Sequence, residues 1–91
     1  TSITKTITFR GNQLTVNANV EPGGHLQVRI KPAGGGADLR GLSDPVTGDR
    51  QKHIVRWGGD DNIADCAGRE VILEVRLKRA KWHALEFTPD A

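Results

Sequence analysis

Residues 14–30 read LTVNANVEPGGHLQVRI, and the alternation of apolar and polar side chains in this stretch decides the fold class. Apolar residues occupy every second position on both sides of the EPGG segment at 21–24, which is typical of strands with one buried and one solvated face. Proline restricts φ and glycine allows positive φ, so EPGG predicts a reverse turn. The two runs are therefore predicted to form an antiparallel hairpin.

The same period of two recurs along most of the chain, in the runs 3–9, 53–57, 71–78 and 82–87. In the last run, His83, Leu85 and Phe87 are predicted to share an inner face, with Trp82 on the outer one. No segment keeps a 3.6-residue period over three turns. The sequence predicts an all-β fold, an antiparallel β-sandwich of jelly-roll or immunoglobulin-like type with six to eight strands, in which residues 1–91 form a single domain.

Residues 32–50 interrupt the alternation and are rich in glycine and proline. Because loops of this length are unusual in compact domains, we expect a connection that crosses between sheets and contains a short strand near 39–42. Residues 58–62 (GGDDN) predict a turn, with Asp61 or Asn62 capping the short segment that follows.

The composition limits the possible functions. The chain has 91 residues, and its 13 basic and 11 acidic residues give a net charge of 13 − 11 = +2. This charge is too balanced for a dedicated polyanion-binding protein, so nucleic acid is an unlikely partner. No segment approaches the length of a membrane span, and a single cysteine excludes an internal disulfide framework. Cys66 is predicted to be a small, half-buried apolar residue.

Acidic side chains in the predicted loops were considered for catalysis and for metal binding. Asp60 and Asp61 are adjacent in a glycine-flanked turn and are predicted to be solvated, and no hydrolase or nucleotide-binding motif is present. Asp44 and Asp49 could offer oxygens to calcium, but Asp49 is better explained as ordering the crossover. The sequence predicts a protein without catalytic residues, metal or cofactor.

The three histidines are far apart in the sequence, at His25, His53 and His83. Because His53 and His83 occupy nominally inward positions, both are predicted to be hydrogen-bonded residues of the core or its rim rather than metal ligands.

The two tryptophans suggest a binding function. Trp57 alternates with buried positions and is predicted to lie in the core, whereas an outward Trp82 would offer a flat apolar surface to a sugar ring or a base. The candidate carbohydrate-binding residues are Trp82 with three outward cations, Arg56, Arg76 and Lys78. In the alternative interpretation, Trp82 packs on a parent protein or on lysine and arginine stems.

The order of short motifs along the chain resembles a known family of domains. The motifs are FRGNQL at 9–14, GGHLQV at 23–28, GD at 48–49, VRWGG at 55–59, Asp61, AGREV at 67–71 and LKRAKWHALEF at 77–87. This series resembles the small C-terminal β-sandwich domains attached to bacterial five-bladed-propeller glycosidases of the family-32 and sialidase-like kind. The chain departs from that pattern at Cys66, where the family tends to have leucine, and at Trp82 and His83, which replace Leu-Tyr.

The resemblance implies a non-catalytic accessory domain of a secreted or periplasmic glycoside hydrolase, part of a larger protein whose catalytic domain lies in the same polypeptide. Such a domain would act as a carbohydrate-binding or substrate-proximity module. Two alternatives remain: a structural module that packs against the catalytic propeller without binding sugar, and an oligonucleotide-binding β-barrel, which the sequence pI near 9.0 motivates.

Overall fold

The computed structural model describes the backbone of residues 2–88 and the side chains of residues 2–48 and 52–87. Its strands form one antiparallel sheet in the order β1-β4-β2-β3. They are β1 (Ser2–Thr8), β2 (Gln13–Pro32), β3 (Asp49–Ile54) and β4 (Glu70–Thr88). Within the described residues, helical structure is limited to the 3-10 turn Ala64–Cys66, and no helix is long and apolar enough to cross a membrane. The predicted all-β class is confirmed.

The predicted hairpin at residues 21–24 is wrong, because both arms belong to the single strand β2 and pair with β4 instead of each other. Residues 13–20 pair with residues 80–88 of β4, and residues 25–32 pair with residues 71–78. Between these two blocks, the four residues 21–24 lie opposite Arg79 alone. The EPGG segment is therefore a wide bulge within a strand.

This bulge is the place where the sheet folds back on itself. A straight strand of 20 residues would span about 66 Å at ~3.3 Å per residue, whereas the longest dimension of the molecule is 35 Å. Buried residues from both halves of β2, such as Leu14 and Ile30, belong to the same core cluster. The two halves of the β2–β4 ribbon therefore enclose one core between them.

The bend brings two backbones unusually close together. A Cβ atom built on Gly24 would lie 2.4 Å from the Lys78 carbonyl oxygen and 2.6 Å from that of Arg79, so only glycine fits at this position. Arg79, on the opposite strand, has a φ of 51°. This left-handed conformation costs a non-glycine residue about 1 kcal/mol. The sharp bend depends on both residues.

The core is aliphatic apart from one aromatic pair. Alternate residues of β2, β4 and the segments beside them supply its buried members: Leu14, Val16, Ala18, Leu26, Val28, Ile30, Val46, Val55, Ile63, Val71, Leu73 and Val75. The buried Phe9 stacks on Phe87, with ring centroids 4.2 Å apart and an interplanar angle of 13°. The alternation in the sequence therefore predicted the inward positions of β2 and of the first half of β4 correctly.

A second, smaller bulge reverses the predicted faces near the end of β4. Ala18 is opposite Trp82 and Asn17 is opposite Ala84, so His83 has no partner across the strand pair. Because of this extra residue, Trp82 packs against the core on the same side as Leu85, whereas His83 is exposed. The predictions of an outward Trp82 and an inward His83 are both wrong.

The segment at residues 33–48, predicted to cross between sheets, instead runs along the second half of β2, and its bridge at Arg40 falls within the short strand predicted near 39–42. It forms isolated bridges between Ile30 and Arg40 and between Leu26 and Val46. The hydroxyl of the buried Ser43 accepts a hydrogen bond from the Val28 amide (2.9 Å). The crossover therefore acts as an additional short strand beside β2.

Replacement of Gly24 by alanine is expected to destabilise the domain by at least about 2–3 kcal/mol, because the new methyl group meets backbone atoms that cannot rotate away. Urea denaturation of the two proteins measures this difference.

Gly34→Ala is the matched control, because a Cβ at Gly34 meets nothing within 4 Å. Its free energy of unfolding is expected to stay within about 0.5 kcal/mol of the native chain. An equal loss for both variants would contradict the assignment of Gly24 as a steric requirement of the bend.

Candidate ligand-binding surface

The part of the sheet where β1, β4 and the second half of β2 lie side by side carries a mainly polar outer face, which we call the Glu74 face. It consists of the outward residues of three neighbouring strands. These are Ser2, Thr4 and Thr6 of β1, Ile72, Glu74, Arg76 and Lys78 of β4, and His25, Gln27, Arg29 and Lys31 of β2. Each of these residues alternates with a core-facing neighbour, so their side chains project to the same side.

Glu74 lies at the centre of this face and contacts three cations. Its carboxylate is 3.1 Å from Nε of Arg76, 3.5 Å from Nη1 of Arg29 and 3.7 Å from Nζ of Lys31. Burial by itself raises the pKa of Glu74, but the hydrogen bond from Arg76 and the nearby charges of Lys31, Arg76 and Arg29 outweigh it, so that the net pKa is lowered. Glu74 therefore stays ionised and holds the cations in place.

The excess positive charge of the chain is concentrated here. The face holds four cations and one acid, and Asp38 adds a second acid through its 3.3 Å contact with Arg29, giving 4 − 2 = +2. The remaining 13 − 4 = 9 basic and 11 − 2 = 9 acidic residues cancel. The near-neutral total predicted from composition therefore conceals a locally basic surface.

Two of the predicted site residues, Arg76 and Lys78, lie on this face. The side chain of Arg76 is 46% exposed, and Nε alone bonds to Glu74, so its two terminal nitrogens have no bonded partner among the described residues. Lys78 is exposed, pairs across the strands with His25, and forms no ion pair with a described residue. Both cations are available to a ligand.

The other two predicted site residues lie elsewhere. Arg56 follows β3, and its carbonyl accepts a hydrogen bond from the Asp44 amide (2.7 Å) of the crossover. In the strand order β2 separates β3 from β4, so Arg56 does not lie beside Arg76. Trp82 belongs to the other half of the fold, where it is partly buried against the core. The structure therefore does not bring Trp82 and Arg56 to the cations at 76 and 78.

Trp82 has one further notable feature. Its indole nitrogen is buried and has no hydrogen-bond partner. It is on the part of β4 beyond Arg76, where β1 no longer pairs. Leu77 and Leu85 are also only partly buried along this part. Trp82 therefore contributes to the rim of the core rather than to an outward platform.

Asp44 has a structural role in place of the calcium site considered from the sequence. Its two carboxylate oxygens accept hydrogen bonds from the amides of Gly58 (3.0 Å) and Gly59 (2.9 Å). Trp57, predicted to lie in the core, is only partly buried against it and donates its indole N–H to the Gly41 carbonyl (2.7 Å). These bonds tie the crossover to the turn at 57–60. The side chain of Asp49 is outside the described set, and the described residues contain no group of three potential metal ligands.

The short 3-10 turn is also held by electrostatics. Nη2 of Arg40 donates to the Asp65 carboxylate at 2.6 Å, and this bond lowers the pKa of Asp65. Asn62 accepts a hydrogen bond from the Ala64 amide at 3.0 Å, which forms an Asx turn just before the 3-10 turn. The N-cap of that turn is Ile63, without a side-chain hydrogen bond, so the predicted cap by Asp61 or Asn62 is wrong. The neighbouring Cys66 is buried, as predicted, and burial raises the pKa of its thiol.

His53 is buried as predicted, with Nε2 3.3 Å from the Ala18 carbonyl oxygen. Glu74, Arg29 and Lys31 were not identified as site residues from the sequence. The sequence indicated only that these three residues point outward in the alternation. It could not show that they lie together, because their grouping depends on the long-range pairing of β2 with β4.

Comparison of the sequence with protein-family models and curated proteins gives no match, and no solved structure matches the fold. The resemblance to glycosidase accessory domains therefore depends on the motifs quoted above alone.

Replacement of Glu74 by glutamine is expected to lower stability at neutral pH by about 1 kcal/mol, because three cations lose their shared partner. A carboxyl group whose pKa is lowered by folding stabilises above its unfolded pKa, near 4.3, and loses that contribution as the pH falls through the folded value. Glu74→Gln should therefore show a smaller loss of stability on acidification from about pH 6 to 3. Thermal unfolding across this range measures the effect.

Glu86→Gln provides the control with the same charge change, because the Glu86 side chain is 57% exposed and its carboxylate has one ion pair among the described residues, with Lys52 at 3.5 Å. Its pH profile is expected to follow that of the native chain. If the two variants had the same profile, the central role of Glu74 would be contradicted.

Asp44→Ala is expected to cost about 1–2 kcal/mol, because two turn amides lose their acceptor. Asp44→Asn keeps one carbonyl oxygen and should lose less. Thermal denaturation separates the two variants. Equal stability of Asp44→Ala and the native chain would show that the turn holds without this bond.

Proposed function

We propose that this chain is a non-catalytic accessory domain of a glycoside hydrolase that binds carbohydrate on the Glu74 face. The observation that supports this proposal is the composition of the Glu74 face, where hydroxyl, amide and charged groups lie side by side on three neighbouring strands. Such groups donate and accept the directional hydrogen bonds that fix the orientation of a sugar.

The geometry of the face suits an extended ligand. One row across the three strands contains Ser2, Arg76 and Gln27, and the next contains Thr4, Glu74 and Arg29. Neighbouring strands are about 4.8 Å apart, and equivalent positions along a strand about 7 Å apart. A sugar chain lying on this grid would meet hydrogen-bonding groups at each step.

The motif resemblance supplies the rest of the proposal. It implies that the catalytic domain is in the same polypeptide and that the protein is secreted or periplasmic. We also interpret the folded sheet as a small β-sandwich. If β2 and β4 each count as two strands because of the bend at residues 21–24 and 79, then β1, β3 and these four halves give six.

A structural role is the second candidate, and a specific surface favours it. The part of β4 that β1 leaves uncovered has a rim of partly buried apolar side chains, which includes Leu77, Trp82 and Leu85. A catalytic domain could pack on this rim and cover it. In that case, deletion of this domain from the full polypeptide would lower the thermal midpoint of the remaining catalytic domain. The affinity of the catalytic domain for sugar would not change.

Titration with a panel of neutral and acidic polysaccharides is expected to give saturable binding with at least one glycan. Backbone amide shift changes observed by NMR should cluster at residues 2–6, 25–31 and 72–78. Arg76→Ala should weaken binding about two- to five-fold, as expected for the loss of one exposed charged contact.

Trp82→Ala is the matched test of the alternative surface. This variant should be less stable by about 1–3 kcal/mol, since it removes part of the core rim, but should keep the affinity of the native chain. Absence of saturable binding to every glycan, or shifts confined to the surroundings of Trp82, would overturn the proposed site.

A further inference from the structure

We infer that the ligand of the Glu74 face is an anionic glycan, with carboxylate or sulfate groups that bind Arg76 and Lys78. This inference deepens the proposed function and rests on it. It follows from the charges on the face rather than from its hydrogen-bonding groups.

The availability of the two cations is the first step. Glu74 bonds Arg76 only through Nε, so the two terminal nitrogens keep the parallel geometry that binds a carboxylate or sulfate with two hydrogen bonds. Lys78 is two residues further along β4 on the same side, about 7 Å away, without an ion pair to a described residue. Together they form a site for successive anionic groups.

The pattern of side chains favours a sugar over a nucleic acid. Proteins that bind single strands combine a basic groove with exposed aromatic rings that stack on bases. The described residues of the Glu74 face include no Phe or Trp, because Phe9 is buried and Phe87 and both tryptophans pack against the core; the imidazole of His25 is the one ring among them. The row Ser2, Thr4 and Thr6 instead borders the cations with hydroxyl groups, which suit a polyhydroxylated ligand.

The charge of Glu74 determines how strongly this site attracts an anion. Its negative charge offsets the cations at positions 29, 31 and 76, which would otherwise repel one another. The same charge weakens the attraction for an incoming anion. Removal of the Glu74 charge should therefore lower stability and raise affinity for anions, two opposite effects that a merely structural ion pair would not produce together.

The test uses two pairs of probes that differ in charge and share a backbone. Polygalacturonate is compared with its methyl ester, and dextran sulfate with plain dextran, by calorimetry at about 50 and 500 mM salt. We expect at least one charged form to bind about ten-fold tighter than its neutral counterpart at low salt. This preference should shrink at high salt, which screens exposed charges.

Variants then locate the effect. Lys78→Gln should weaken binding of the charged probe about two- to five-fold, and Glu74→Gln should strengthen it by a similar factor. Lys52→Gln and Glu86→Gln make the same charge changes in the other half of the sheet and should have less effect. Binding of a neutral glycan should be unchanged in the two control variants, and in Lys78→Gln and Glu74→Gln it should change less than binding of the charged probe does.

The outcomes separate the inference from the proposed function. If a neutral glycan binds as tightly as its charged counterpart, the anionic specificity is wrong, while carbohydrate binding stands. If no glycan binds, both fail. Tighter binding of single-stranded DNA than of either charged glycan would overturn the inference in favour of nucleic acid, and equal effects of Lys52→Gln and Lys78→Gln would show only a nonspecific response to net charge.

Discussion

The close approach of Gly24 to the backbone of residues 78 and 79 is the constraint on which the rest of the fold depends. With no side chain at position 24, the two longest strands can turn together, and the left-handed Arg79 takes up the change of direction on the other strand. A straight ribbon would expose the apolar face of β2 along its whole length. Because the ribbon folds, Leu14 and Ile30 contribute to one core, and a short chain buries enough aliphatic surface to fold.

The bend also determines what the outside of the domain presents. In β2 the even-numbered residues are buried on both sides of the bend. The outward residues of β2 between 25 and 31 are all polar and lie opposite outward residues of β4. These two rows and β1 form the Glu74 face. On the far side of the bend, β1 is absent and the bulge at His83 turns Trp82 inward. The polar face and the apolar rim are therefore consequences of the same two irregularities.

The alternation in the sequence predicted most of the buried apolar residues of β2 and of the first half of β4, because burial there follows the local period. It was not enough to predict partners. The segment at 21–24 has the residues of a reverse turn, and a turn and a wide bulge require the same backbone freedom from proline and glycine. Only the long-range register distinguishes them. The face on which Trp82 lies was also not predictable from the alternation. The single extra residue at His83 reverses which residues point inward on either side of it.

The candidate site illustrates the same limit in electrostatic terms. The outward direction of Arg76 and Lys78 followed from the alternation, but Glu74 became significant only when the pairing brought it beside Arg29 and Lys31. An acid among four cations is the arrangement expected where a basic surface must be stable without its ligand. Each cation placed next to another raises the free energy of the folded state, and a shared carboxylate removes most of that repulsion. The exposed ends of Arg76 and Lys78 remain, as the proposed binding of anions at this face requires.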